Sequence, residues 1–102
     1  MGGENLAPAE VEQAIRDATG MQQVCVLGIP DARLDEVPAA VVVGTLTGDW
    51  TAILGGLSTT LAGFKIPRAV YNAPQFPLTA TNRVQRAVLR DWIVTGKLLR
   101  VA

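Results

Sequence analysis

Histidine is absent and cysteine occurs once, at position 25. The first fact removes the commonest general base and metal ligand. Cys25 lies in the alternating run Val24-Cys25-Val26 with no histidine or aspartate constellation beside it, so it reads as a packed strand thiol, and neither a disulfide nor a metal site can be drawn. What remains for chemistry is cationic. Residues 65–102 carry seven Lys or Arg against one acid, residues 37–64 carry a single acid, and residues 1–36 carry seven acids against two bases. A basic C-terminal third attracts phosphate groups, or else it is a solvated face that pairs with the acidic N-terminal third. The zero net charge of the whole chain argues against nucleic acid as a partner. A second feature is backbone: Gly2-Gly3-Glu4-Asn5 forms a polar loop running straight into a helix start, and paired glycines let a ligand lie close against the main chain, although a disordered terminus would have the same composition.

Length limits what these residues can build. With 102 residues, one domain spanning 1–102 is expected. A chain of this size buries only about 60 to 70% of its unfolded surface, which leaves no room for a large enclosed active site. No apolar run approaches the ~18 residues of a membrane span, so no membrane partner and a cytoplasmic location are expected.

The elements that must position the cations follow from periodicity. Val11, Ala14, Ile15 and Ala18 recur at helical spacing behind Pro8, and Gly20 closes the helix. Gln23 to Ile29 and Pro38 to Val43 read as two strands of a hairpin around a polar turn. Asp49 caps a second helix with Ile53, Leu54, Leu57 and Leu61 inward, despite Gly55-Gly56 in its middle. Arg68 to Ala73 is a short strand, and Val84 to Val94 a third helix with Val84, Ala87, Val88 and Trp92 inward. The predicted order is α-β-β-α-β-α: a small α+β domain with about three strands packed by three helices, and residues 96–102 as a tail.

Four stretches are specific beyond this: Gly2-Gly3-Glu4-Asn5-Leu6-Ala7-Pro8-Ala9-Glu10-Val11-Glu12, Gly28-Ile29-Pro30-Asp31-Ala32-Arg33-Leu34-Asp35-Glu36, Leu61-Ala62-Gly63-Phe64-Lys65-Ile66-Pro67-Arg68, and Pro77-Leu78-Thr79-Ala80-Thr81-Asn82-Arg83-Val84. In this order and over roughly Gly2 to Arg90, the sequence closely resembles the C-terminal domain of AMP-forming acyl-CoA synthetases, in the adenylate-forming superfamily. The family motifs read GGENxxPxEVE, G-x-PDxRxGE, GFKxPR and PxTATGKVxR.

The resemblance implies a mobile lid on a larger N-terminal adenylation domain, which is absent here. The whole enzyme converts a carboxylic acid and ATP, with magnesium, to acyl-AMP, then transfers the acyl group to CoA. By the same resemblance Gly2, Gly3, Glu4 and Asn5 would line the pantetheine tunnel, while Phe64 and Arg68 match positions that contact the CoA nucleotide by stacking and by charge. Leu34 stands where relatives carry an adenine-stacking Trp, and Arg83 stands at the adenylation lysine of the TGK segment. An arginine carries the charge, but as a broad planar fork and not a compact ammonium. Asn82 and Asp35 replace family glycines. Thr95-Gly96-Lys97 resembles the TGK segment too, but lacks the preceding Pro-x-Thr-Ala and reads as a helix C-cap. The chain on its own is expected to be inactive, to hold no cofactor tightly, and to self-associate weakly through Gly2 to Leu6 and Phe64 to Pro67. The alternative is a non-catalytic, stand-alone lid-like module binding CoA, a nucleotide or a protein.

Overall fold

Six consecutive residues, Val37 to Val42, are buried, which a strand achieves only when both faces of its sheet are covered. The computed structural model describes residues 7–33, 35–46 and 48–102. Seven elements carry the fold: α1 (Pro8–Thr19), β1 (Val24–Asp31), β2 (Asp35–Val42), α2 (Trp50–Gly56), β3 (Ala69–Asn72), α3 (Arg86–Val94) and β4 (Leu99–Arg100). The sheet order is β1-β2-β3-β4. β1 and β2 form an antiparallel hairpin, β2 and β3 run parallel across the α2 crossover, and β4 returns antiparallel to β3.

Strand alternation sorts the core into two layers. Val24, Val26, Ala40, Val42 and Val70 face α1 and the α2 region, meeting Val11, Ile15, Trp50, Leu57 and Leu61. Cys25, Leu27, Ala39, Val41 and Ala73 face the other way and meet Phe76, Leu89 and Ile93, the latter two from α3. The α+β class is as expected, with one strand more. Residues 99–100, expected in a tail, pair with Asn72 and Tyr71. A two-residue strand carries no alternation for a sequence pattern to show.

Local chemistry sets the helix ends. Pro8 opens α1, and Gly20, at φ 76°, closes it by donating its N–H to the Arg16 carbonyl. The Asp49 carboxylate caps α2 by accepting from the Thr51 N–H at 3.0 Å. The glycines end α2 instead of lying mid-helix: after Gly56 the chain tightens into a 3-10 turn, Leu57–Thr59. α3 begins at Arg86, two residues later than expected, and this resets its inward face. Leu89 and Ile93 are buried, Val88 and Trp92 are half-buried, and Ala87 is exposed. Gly96, at φ 75°, follows the end of α3, and its N–H donates to the Ile93 carbonyl.

β1 lies at the edge of the sheet, and α1 covers its outward backbone groups. Arg16 donates from Nε to the Gln22 carbonyl at 3.0 Å and from Nη2 to the Val24 carbonyl at 3.3 Å. Glu12 Oε2 accepts the Val26 N–H at 2.8 Å. These bonds leave less of the edge open to another strand.

Candidate functional site

The segment carrying Arg83 is a tight hairpin. Leu78 and Val84 form an isolated antiparallel bridge. Inside it, the Thr79 N–H donates to the Arg83 carbonyl at 2.8 Å, and the Asn82 N–H donates to the Thr79 carbonyl at 3.0 Å. The Thr79 hydroxyl accepts from the N–H groups of Thr81 and Arg83, at 3.3 and 3.1 Å. Asn82 sits at φ 64°, a left-handed conformation that suits glycine and that asparagine tolerates better than most. The same holds for Asp35, at φ 69° where β2 begins. Both departures from the family glycines are therefore substitutions the backbone admits. Arg83 itself is exposed, and among the described residues its guanidinium takes no hydrogen-bond or ion-pair partner.

Three residues on, Arg86 is also exposed, but its guanidinium has a partner. Its Nη2 donates to Glu12 Oε2 at 2.8 Å. Glu12 is 7% exposed, so this carboxylate oxygen is shared between the Arg86 guanidinium and the Val26 N–H within the fold. One turn further along α3, Arg90 stands 3.4 Å from Glu36 Oε2. Glu36 lies across Gly28 of β1: a Cβ on Gly28 would come within 2.5 Å of Glu36 Oε1. Gly28 thus leaves the space through which the Glu36 side chain passes. A groove of about 530 Å³ lies here, bounded by Leu27, Gly28 and Glu36 on one side and Arg86, Arg90 and Asp91 on the other.

Cys25 lies among the buried residues beneath α3. Burial pushes its thiol up to about 11, an effect partly opposed by the positive charge of Arg86. A thiol held protonated is no nucleophile at neutral pH.

Phe64 occupies a second 3-10 turn, Gly63–Lys65, and is 56% exposed. Lys65 Nζ stands 5.9 Å from the ring centroid and 2.7 Å from Glu10 Oε1 on α1. Arg68 is exposed as well. Its N–H donates to the Pro38 carbonyl at 2.8 Å, and its own carbonyl accepts from Arg100 Nη2 at 3.5 Å. The flanking Leu61 and Ile66 join the α1 layer, whereas Phe76 and Val84, which flank the Arg83 hairpin, join the α3 layer. Phe64 and Arg68 thus lie in the segment leading into β3, whose Leu61 and Ile66 pack in the α1 layer, and Arg83 lies on the hairpin whose flanks pack in the α3 layer. Gly2, Gly3, Glu4, Asn5 and Leu34 lie outside the described residues. Sequence reasoning missed Glu12 and Arg86, although both stand inside the quoted family motifs, as the last acid of PxEVE and the arginine of KVxR.

The family model for the AMP-binding enzyme C-terminal domain matches residues 10–83. The chain belongs to this family. Among curated relatives, the 2-succinylbenzoate–CoA ligase of Listeria monocytogenes serotype 4b (strain F2365) is 37% identical over 90 residues, covering 88% of this chain and 19% of the ligase. Among solved structures, the Mycobacterium tuberculosis fatty acyl CoA synthetase superposes with a TM-score of 0.82 at 34% identity, covering 93% of this chain and 19% of that one. ATP-bound MatB from Rhodopseudomonas palustris gives 0.74 at 36% identity, covering 82% and 17%. As a member of the AMP-binding enzyme C-terminal domain family, the chain spans about a fifth of the length of such relatives. Among the described residues, no helix is long and apolar enough to cross a membrane.

Proposed function

We propose that this chain is the mobile C-terminal domain of an AMP-forming acyl-CoA ligase, acting with an N-terminal adenylation domain on a carboxylic acid, ATP with magnesium, and CoA. The observation that carries the reading is Arg83: a cation on a braced hairpin tip, without a side-chain partner among the described residues, at the position of the family's adenylation lysine, in a chain whose residues 10–83 match the family. In the first half-reaction the acid's carboxylate oxygen bonds to the α-phosphorus of ATP and the bond to pyrophosphate breaks. Arg83 would place its guanidinium where negative charge gathers between the two groups. In the second, the CoA sulfur bonds to the acyl carbon, the thiol proton is lost and AMP leaves with the electron pair. Phe64 offers an exposed ring for a base, and Arg68 a cation for phosphate. That the segment carrying Phe64 packs with the α1 layer, and the hairpin carrying Arg83 with the α3 layer, supports a domain that presents one face in each half-reaction.

The test is acid-dependent pyrophosphate exchange and CoA thioester formation, with benzoate, ferulate, octanoate and palmitate as probe acids. The 102-residue chain should show neither activity. Joined to its adenylation domain it should show both. There Arg83→Lys should raise the adenylation rate and leave thioester formation from supplied acyl-AMP unchanged, since one well-placed donor is worth roughly 100- to 1000-fold and a misplaced fork forfeits part of that. Turnover by the isolated chain would sink the proposal.

A further inference from the structure

The Arg83 tip is braced within itself, but a braced hairpin still needs a direction. Two attachments supply it. One is apolar, the packing of Phe76 and Val84 in the α3 layer. The other is polar and continuous with the tip. Gln85 donates its N–H to the Pro77 carbonyl at 2.8 Å and its side-chain amide to the Leu78 carbonyl at 3.1 Å, locking the hairpin base to the start of α3. The next residue is Arg86, held at 2.8 Å by Glu12 Oε2, which also takes the Val26 N–H at 2.8 Å. A chain of hydrogen bonds therefore runs from edge strand β1, through a carboxylate of α1, to a residue three positions from Arg83. Among the described residues Glu12 is the buried charged side chain, 7% exposed. An acid buried on a helix is retained against its desolvation only when its partners satisfy it.

We infer that Glu12 and Arg86 are positioning residues for adenylation: the buried carboxylate aims the hairpin that presents Arg83, and neither residue touches a substrate. This rests on the ligase reading of Arg83 and extends it to a device lying outside any substrate-contacting surface. A displacement of about 1 Å at a catalytic group can lower a rate on the order of 100-fold. Loosening this attachment should therefore act on the half-reaction that uses Arg83 and spare the one that uses Phe64 and Arg68. A purely structural pair would slow both alike, or neither.

The experiment uses the whole ligase with the same probe acids. Single-turnover adenylation and thioester formation from supplied acyl-AMP are measured for the parent, Arg83→Ala, Glu12→Gln, Arg86→Gln and the double variant Glu12→Gln/Arg86→Gln. Glu12→Gln is the mild change, since its amide oxygen can still accept the Val26 N–H. Each single amide variant should slow adenylation roughly 10- to 100-fold with thioester formation within about twofold of the parent. The double variant should lose much less than the product of the singles, because the two residues act as one unit. In the 102-residue chain, amide exchange of Thr79 and Asn82 should quicken in Glu12→Gln while the Val41 and Val70 amides stay protected. If Arg83→Ala slows adenylation and Glu12→Gln does not, or if Glu12→Gln slows both half-reactions equally, the inference is overturned and the ligase reading stands. If Arg83→Ala leaves adenylation at the parental rate, both fall.

Discussion

Arg83 and Arg86 are three residues apart and chemically identical, yet the fold uses them in opposite ways. Arg86, half-exposed, spends its guanidinium on a buried carboxylate that also satisfies a strand N–H. Arg83 spends only its backbone inside: its N–H and carbonyl close the hairpin, and its side chain is left to solvent. A cation whose main chain is fixed and whose side chain takes no partner among the described residues is available to a group outside the fold. A cation tied to a buried acid has those of a fastener. Residue type does not distinguish the two roles; the partner does.

The largest test of that contrast is stability. Arg86→Ala leaves Glu12 buried without its counter-charge. Losing one partner of a fully buried pair costs about 3 to 5 kcal/mol, and because the Arg86 side chain is 47% exposed, roughly 2 to 3 kcal/mol is expected here. Arg83→Ala should stay within about 0.5 kcal/mol of the parent, as for an exposed surface side chain. Urea unfolding of the two variants measures both, and equal losses would erase the distinction.

Cys25 reports on the same region through pH. Its folded-state thiol, pushed up to about 11 from an ordinary 9.0, is protonated over a range where the unfolded chain has begun to lose that proton. The stabilisation is therefore whole below about pH 9 and disappears as pH climbs through about 11, up to roughly 2 to 3 kcal/mol at 1.36 kcal/mol per unit. The difference in unfolding free energy between the parent and Cys25→Ala should narrow by that amount between pH 8 and pH 11. In Arg86→Ala the decline should persist, since burial is the larger cause and the arginine opposes it.

The tip has its own probe. Asn82→Val forces a β-branched residue into φ 64° and should cost about 1 to 2 kcal/mol, whereas Asn82→Gly should be nearly neutral. Nuclear magnetic resonance shifts at Thr79 and Arg83 would show whether the hairpin survives each change. The smallest effect is expected at the second ion pair. Gly28→Ala pushes Glu36 out of the space it occupies and off Arg90, at about 0.5 to 1 kcal/mol, since the pair is partly exposed. Glu36→Ala in the same background should remove that cost.

These contrasts also mark how far the sequence reaches. Pro8, Gly20 and Asp49 announce helix ends because capping is local chemistry, and the structure finds each of them in that role. The β1–β2 hairpin is equally legible, since alternation and turn residues lie side by side along the chain. The motif around Arg83 gives its position, and the turn geometry then explains Asn82. What stays hidden is whatever depends on distant partners. Nothing in local spacing pairs Glu12 with Arg86. Periodicity counted from Val84 points Ala87 inward, whereas Val84 bridges to Leu78 and α3 runs from Arg86 with Leu89 and Ile93 buried. β4 is defined by its neighbour β3 and by no pattern of its own.

The Glu12–Arg86 bond spans 74 positions, and that span has a consequence for the order in which the molecule is made. Entropy opposes closing so long a loop more than it opposes neighbouring contacts. During synthesis α1 and the β1–β2 hairpin can emerge and pair, joining Glu12 to the Val26 N–H, while Arg86 is still untranslated, so the carboxylate waits for its counter-charge until residue 86 leaves the ribosome. If Glu12 and Arg86 aim the Arg83 hairpin as inferred, that hairpin is among the last parts of the chain to acquire its direction.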